Sequence, residues 1–223
     1  MNRPKQWLLS AYYVSTIAYR RHLLARMRQT GTVPIVVLFY HRIADTVSND
    51  WTMSYDRFTR QIDWLADRFD LVTLSEAQRR IATGDVRRGA VAITFDDGYW
   101  DNCQQALPLL IRRRIPCTYF VSTHHVLQGE PFPHDVAAGH PLRVNTIDQL
   151  RSLAAAGVEI GAHTRTHCDL GKISDARQIE AEVAGSKRDL ERALDRPIRF
   201  FAFPYGQPEN LSAAALNVAR QAG

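Results

Sequence analysis

Two carboxylates stand side by side in Ala90-Val-Ala-Ile-Thr-Phe-Asp-Asp-Gly-Tyr99, where a run of β-prone residues stops. A strand sends successive side chains to opposite faces, so adjacent acids ordinarily diverge. At a strand terminus followed by Gly98 the backbone can bend and let Asp96 and Asp97 converge on one cleft. Like charges held close repel unless a metal separates their roles or one pKa rises. The competing account is a turn with two solvated acids, since Asp-Gly is a common turn dipeptide.

A second signal is His163-Thr-Arg-Thr-His167, directly after the apolar run Val158-Glu-Ile-Gly-Ala162. Imidazoles four residues apart can face one centre, and neutral imidazole is the commonest metal ligand. Gly161 allows close backbone approach. Two histidines plus one carboxylate leave coordination positions open for water and substrate. By itself the spacing also fits a solvent-facing helix. A third signal is Arg199-Phe-Phe-Ala-Phe-Pro-Tyr-Gly206, where Pro204 and Gly206 display Tyr205 at a rim; a plain loop with a core tyrosine is the alternative.

The elements that must position these residues alternate. Strands are expected over residues 33–40, 71–74, 91–95, 117–121, 158–162 and 199–203. Helices are expected over 54–68, from 75, and over 100–114, 146–156, 174–194 and 209–221. Residues 122–145 read as an inserted loop, in which His124, His125, His134 and Asp135 are expected to be solvated. Such alternation argues for an α/β fold with parallel strands, and in those folds functional residues gather at the C-terminal ends of strands. All three signals occupy that position, as does His41 after the first strand.

The chain has 223 residues, 45% of them hydrophobic and 23% charged, which suits one globular domain; its net charge of +5 comes largely from short arginine clusters. No nucleic-acid-binding signature accompanies them, and no nucleic-acid partner is expected. Cys103, Cys117 and Cys168 are too few and too scattered for a disulfide framework. Residues 1–30 are expected to form an N-terminal amphipathic helix docked on the domain, with a helix lying on an anionic membrane surface as the alternative. No convincing signal peptide is present, so a cytoplasmic location, or one peripheral to the inner membrane, is expected.

Thr94-Phe-Asp-Asp-Gly-Tyr99, His163-Thr-Arg-Thr-His167 and Phe201-Ala-Phe-Pro-Tyr-Gly206, in this order, resemble the first three motifs of the polysaccharide deacetylase family, the NodB-like group or carbohydrate esterase family four. Leu38-Phe-Tyr-His-Arg-Ile43 is similar to a segment of its poly-N-acetylglucosamine deacetylase-like branch. The resemblance implies a (β/α) barrel incomplete at the C-terminus, over a catalytic domain of residues 31–223. It implies metal-dependent hydrolysis of N-acetyl groups on a cell-envelope or extracellular polysaccharide, with an N-acetylated glycan as partner. It makes Asp97, His163 and His167 the ligands of one divalent ion, most simply zinc, and Asp96 the general base. Tyr205 is assigned to catalysis through its backbone N–H, and His41, Tyr99, Pro204 and Tyr205 to substrate contact. Ala202 stands where many members carry an arginine, and the chain ends at Gly223, before the family's last two motifs. The alternative function is a catalytically impaired glycan-binding remnant that keeps the metal site.

Overall fold

The computed structural model describes residues 3–84 and 86–223; Met1, Asn2 and Asp85 lie outside the described residues. A parallel sheet organises the domain. Strand β5 (Ala90–Phe95) is its axis, and all six of its residues are buried, as expected for a strand covered on both faces. On one side β5 pairs with β1 (Ile35–Tyr40), in register from Ile35 opposite Ala90 to Tyr40 opposite Phe95. On its other side, β4 (Asp70–Val72) pairs with its first half and β6 (Cys117–Val121) with its second half. Then β7 (Glu159–Ala162) adds to β6, giving the order β1-β5-β6-β7. A separate two-residue pair, β2 (Arg42–Ile43) with β3 (Thr52–Met53), follows β1; the sequence did not predict it.

Helices cover the sheet for reasons legible in the chain. In α3 (Tyr55–Arg68), Phe58, Ile62 and Leu65 recur at helical spacing, and all three are buried. Helix α4 (Leu74–Thr83) is capped by the Thr73 side chain, which accepts from the Glu76 N–H. Helix α8 (Ile147–Ala155) begins with a reciprocal capping box between Thr146 and Gln149. The long α9 (Ala176–Leu194) buries Ile179, Val183, Leu190 and Leu194. Phe58, Phe95, Leu107, Tyr119 and Leu150 meet in the main core.

Four expectations need correction. The helix over 100–114 breaks into a 3-10 turn, Trp100–Cys103, and α5 (Ala106–Arg112). Pro108 lacks an N–H and its ring crowds the carbonyl four residues back, so α5 starts afresh and takes the proline in its first turn. The inserted loop contains two short helices, α6 (Thr123–Gln128) and α7 (Pro133–Ala137), the latter opened by a proline at its first position. The segment 199–203 is not a full strand; it touches the sheet through a single bridge, Ala162 to Phe201. Finally, the N-terminal part forms two helices, α1 (Arg3–Ser15) and α2 (Ile17–Thr30), rather than one docked amphipathic helix. Apolar residues from Trp7 to Val14 fall on every side of α1, so no single face is available to dock, and Trp7, Leu8, Tyr12, Tyr13 and Val14 are all exposed.

The sheet is open. Among the described residues nothing pairs with the outer edge of β1, where Val36, Val37 and Phe39 are exposed. A final helix, α10 (Ala213–Ala222), packs against α9. No helix among the described residues is long and apolar enough to cross a membrane.

Candidate active site

The C-terminal ends of β1, β5, β6 and β7 converge on one cleft of about 700 Å³. Asp96 and Asp97 leave β5 into it, and His163 and His167 follow β7. His41 follows β1, while Ala202, Phe203 and Tyr205 come from the bridged segment. The backbone does much of this placing. The Asp96 N–H donates to the Tyr40 carbonyl at 2.8 Å, tying the acidic turn to the end of β1. The Ala162 N–H donates to the Phe200 carbonyl, and the Ala202 N–H returns a bond to the Ala162 carbonyl, each at 2.9 Å. Gly161 makes that approach possible: a Cβ there would lie 2.4 Å from Phe120 Cδ1 and 3.1 Å from the Phe200 oxygen.

Asp97 takes a positive φ of 73°, which turns its side chain away from the direction strand alternation would give and toward the histidines. Its Oδ1 lies 3.1 Å from His167 Nε2 and 3.5 Å from His163 Nε2, and one ligand atom from each of the three residues falls within 4.8 Å of the others. His163 Nδ1 meets the Ala202 carbonyl at 2.9 Å. A carbonyl only accepts, so Nδ1 carries the proton and, in the neutral ring, Nε2 turns a lone pair toward a carboxylate oxygen. Burial, partly opposed by Asp97, holds His163 down at about 4, so the ring is neutral near pH 7. Asp97 Oδ1 therefore receives no proton from His163, and no well-aligned hydrogen bond from a described residue satisfies this buried oxygen, although His167 Nε2 lies 3.1 Å away. Lone pairs from an imidazole and a carboxylate aimed at one point repel unless a cation sits between them. The residues present fit a divalent ion bound by two histidines and a carboxylate.

The two acids part company electrostatically. For Asp97, burial alone would raise the pKa, but His167 and His163 outweigh it and hold the carboxyl at about 2. For Asp96, burial and then the charge of Asp97 push the carboxyl up to about 8. Divergent values in one cleft are the pattern expected of a metal ligand beside a proton acceptor.

The histidine loop is held in a strained shape. Asp97, Thr164, His167 and Tyr205 are four of the seven described non-glycine residues with positive φ, so most of this backbone strain sits at one place. Glu182 on α9 restrains the loop: its Oε2 accepts from the N–H groups of Arg165 and Thr166 at 2.9 and 3.0 Å, and its Oε1 from Thr166 Oγ1 at 2.9 Å. Ser122 Oγ donates to the His163 carbonyl at 2.9 Å. Sequence reasoning missed Glu182; the signal available was an acid set among the buried positions Ile179, Val183 and Ser186 of one helix face.

Around Asp97, His163 and His167, His41 lines the cleft with its ring 4.9 Å from Trp51 and 5.7 Å from Phe39. Asn102 Nδ2 donates to the His41 carbonyl, and buried Arg42 beside it is clamped by both oxygens of Asp101. Tyr205 is exposed, its ring 5.2 Å from that of His167. Two expected substrate contacts are corrected. Tyr99 and Pro204 are buried and neither lines the cleft, because their side chains pack inward from the turns that carry them. Conversely His134, expected to be a solvated loop residue, lines the cleft, and Asp135 beside it is buried.

A family model described as polysaccharide deacetylase matches residues 83–223. YxkH of Bacillus subtilis (strain 168), whose name places it among polysaccharide deacetylases, is 30% identical over 183 residues, covering 80% of this chain and 60% of its own length. A poly-β-1,6-N-acetyl-D-glucosamine N-deacetylase of Staphylococcus aureus (strain MRSA252) is 26% identical over 201 residues, covering 86% of this chain and 65% of its own length. The chain therefore spans roughly three fifths to two thirds of the length of these relatives. Among solved structures, IcaB from Ammonifex degensii superimposes with a TM-score of 0.71 at 26% identity, covering 85% of this chain and 80% of the other. The Streptococcus pyogenes deacetylase PplD, solved with acetate, shares the fold at a TM-score of 0.70 and 21% identity, with the same coverage.

Proposed function

The chain belongs to the polysaccharide deacetylase family, and from that premise we propose that it hydrolyses N-acetyl groups on a cell-envelope or extracellular glycan, with β-1,6-linked N-acetylglucosamine as the first substrate to try. The observation that carries the proposal is the buried, unsatisfied Asp97 Oδ1 facing two imidazole nitrogens, with Asp96 adjacent in the same cleft. The named activity of the Staphylococcus aureus relative supports the choice of sugar.

Asp97, His163 and His167 would hold one divalent cation, zinc by ligand type. When bound, the cation supplies Lewis acidity to an acyl carbonyl and to water, and its charge draws Asp96 toward its ionised form. Asp96 then accepts a proton from the attacking water. Attack on the acetyl carbon builds negative charge on the carbonyl oxygen, toward which the Tyr205 N–H is assigned as a donor. Breaking the carbon–nitrogen bond, with the proton taken up by Asp96 passed on to nitrogen, leaves acetate and a free amine on the sugar. His41 and Tyr205 line the walls against which the glycan would rest.

The test is zinc content together with acetate release. One zinc per chain, with acetate released from a β-1,6-linked N-acetylglucosamine pentamer and lost in Asp96→Asn, is the expected result. His163→Ala should lose both zinc and acetate release. Bound zinc without turnover on any N-acetylated oligosaccharide would leave glycan binding alone.

We also propose a peripheral membrane contact through α1 and α2, and with it a location peripheral to the inner membrane. Trp7, Leu8, Tyr12 and Tyr13, exposed around α1, and the basic pair Arg20 and Arg21 on α2 support it, the arginines by attraction to anionic lipid rather than through one apolar face. Co-sedimentation with anionic but not neutral vesicles, weakened in Trp7→Ser, is the expected outcome.

A further inference from the structure

One polar assembly on the cleft rim has no part in the scheme above. Asp135 on α7 is almost fully buried, and its Oδ2 accepts from the Tyr99 hydroxyl at 2.9 Å. The same hydroxyl lies 3.0 Å from His134 Nε2, and Asp135 Oδ1 lies 3.7 Å from that nitrogen. A phenol has one proton, and here it goes to the carboxylate. Toward His134 the hydroxyl can only accept, so Nε2 carries a proton. The order of donation is then His134 to Tyr99 to Asp135, which fixes the tautomer of a neutral ring and leaves Nδ1 as an acceptor. None of the described residues donates a hydrogen bond to that atom.

The ring is also fixed in space. His134 stacks on Phe132 with centroids 5.3 Å apart and planes 21° apart, and Phe132 is wholly buried. Yet the His134 side chain is 51% exposed and lines the cleft. Burying a carboxylate is costly unless its hydrogen bonds repay it. Among the described residues, the polar side chains paired with Asp135 are Tyr99 and His134. An imidazole held on its face and along one edge, with an acceptor left over at the cleft, is built to contact a ligand.

We propose that His134 is a substrate-binding residue whose Nδ1 accepts a hydrogen bond from a sugar hydroxyl of the glycan, with Tyr99 and Asp135 as its positioning residues. The proposal rests on the deacetylase reading for the identity of the ligand. It gives Tyr99 an indirect role in place of the direct contact the sequence suggested.

The experiment separates binding from turnover. In an Asp96→Asn background, binding of the β-1,6-linked N-acetylglucosamine pentamer is measured by calorimetry, with and without one equivalent of zinc, while zinc affinity and thermal unfolding are followed in parallel. His134→Ala is expected to weaken pentamer binding about tenfold at unchanged zinc affinity, the loss of roughly one hydrogen bond and its packing. Tyr99→Phe keeps the imidazole but removes its anchor, and is expected to weaken binding by a smaller factor. In the active protein, both should raise KM more than they lower kcat. Pentamer affinity unchanged in His134→Ala, or lost only in step with zinc, overturns the proposal and leaves the deacetylase reading standing. Binding that falls in His134→Ala although the wild type releases no acetate upholds the proposal and sinks the turnover reading. No pentamer binding by any form overturns both.

Discussion

Glu182 offers the sharpest test of how the proposed metal site is held, because it bonds the loop at Arg165 and Thr166 rather than at Asp97, His163 or His167. Its carboxylate takes three hydrogen bonds, two from consecutive N–H groups and one from Thr166 Oγ1, all at 2.9–3.0 Å. Hydrogen bonds to an ionised acceptor are each worth about 1.5–3 kcal/mol, but members of one network do not add. Removing the acceptor also strands two N–H groups and releases a loop whose Thr164 and His167 hold φ near 60° against their preference. We expect Glu182→Ala to cost the metal-free protein about 2–4 kcal/mol, from two stranded N–H groups at about 1–3 kcal/mol each that do not add fully, and to weaken zinc binding about 10–100-fold, as for other outer partners of metal ligands. Glu182→Gln should be much milder, about 1 kcal/mol. Its carbonyl can keep both N–H bonds, and its amide can donate to Thr166 Oγ1, which turns to accept. Urea unfolding of the metal-free forms and zinc competition against a chromogenic chelator measure the two effects separately. A folded Glu182→Ala that binds zinc like the wild type would refute the reasoning. So would a Gln variant as damaged as the Ala variant, since charge rather than hydrogen-bond geometry would then be holding the loop.

Other substitutions probe the remaining supports. Asp96 sits at about 8 in the folded protein, well above an ordinary aspartate. The folded state therefore holds this proton more tightly than the unfolded chain does, and stability falls as pH rises from about 4 to 8. Asp96→Asn should remove that slope, so the metal-free variant should be more stable than wild type, with an advantage that grows across this window toward a ceiling of about 5–6 kcal/mol; a wild-type-like pH profile in urea titrations would contradict it. Gly161→Ala places a Cβ 2.4 Å from Phe120 and close to the Phe200 carbonyl. About 1–3 kcal/mol should be lost by overpacking, with zinc affinity falling too because Ala202 shifts off His163. Gly171→Ala drives a Cβ to within 1.9 Å of the Glu209 oxygen; it should lower the melting temperature while leaving zinc affinity near wild type, which separates it from Gly161→Ala in the same assays.

What the sequence disclosed followed from its regular patterns. Six buried β-prone residues before Asp96 and the helical recurrence of Phe58, Ile62 and Leu65 each specify an element locally, and each is found. The grouping of Asp97, His163 and His167 was legible because histidine and aspartate at strand ends are chemically conspicuous. The placement of His134 and Asp135 was not, because it depends on α7 folding back over Tyr99, and a stretch with Pro131, Pro133, Gly139 and Pro141 carries no periodicity to announce it. Segment 199–203 misled in the opposite direction. Its apolar composition suits a strand, but a strand needs pairing along its length, and only Phe201 finds any.

Ala202 shows why side-chain motifs give an incomplete account of this site. Read as a side chain, it is a loss, since an arginine there would have a charged group to place beside Asp96. Its carbonyl, however, accepts from His163 Nδ1 and thereby sets which nitrogen of that ring faces Asp97. No residue type at 202 supplies or removes that carbonyl; only the path of the backbone does, and the path depends on Gly161 letting Phe200 approach β7. The Glu182 clamp acts in the same way, by steering the loop rather than by contributing a ligand. It follows that metal affinity should respond more strongly to Gly161→Ala than to changing Ala202 to serine, although residue 202 lies in the conspicuous motif and only Gly161 is backbone in all but name.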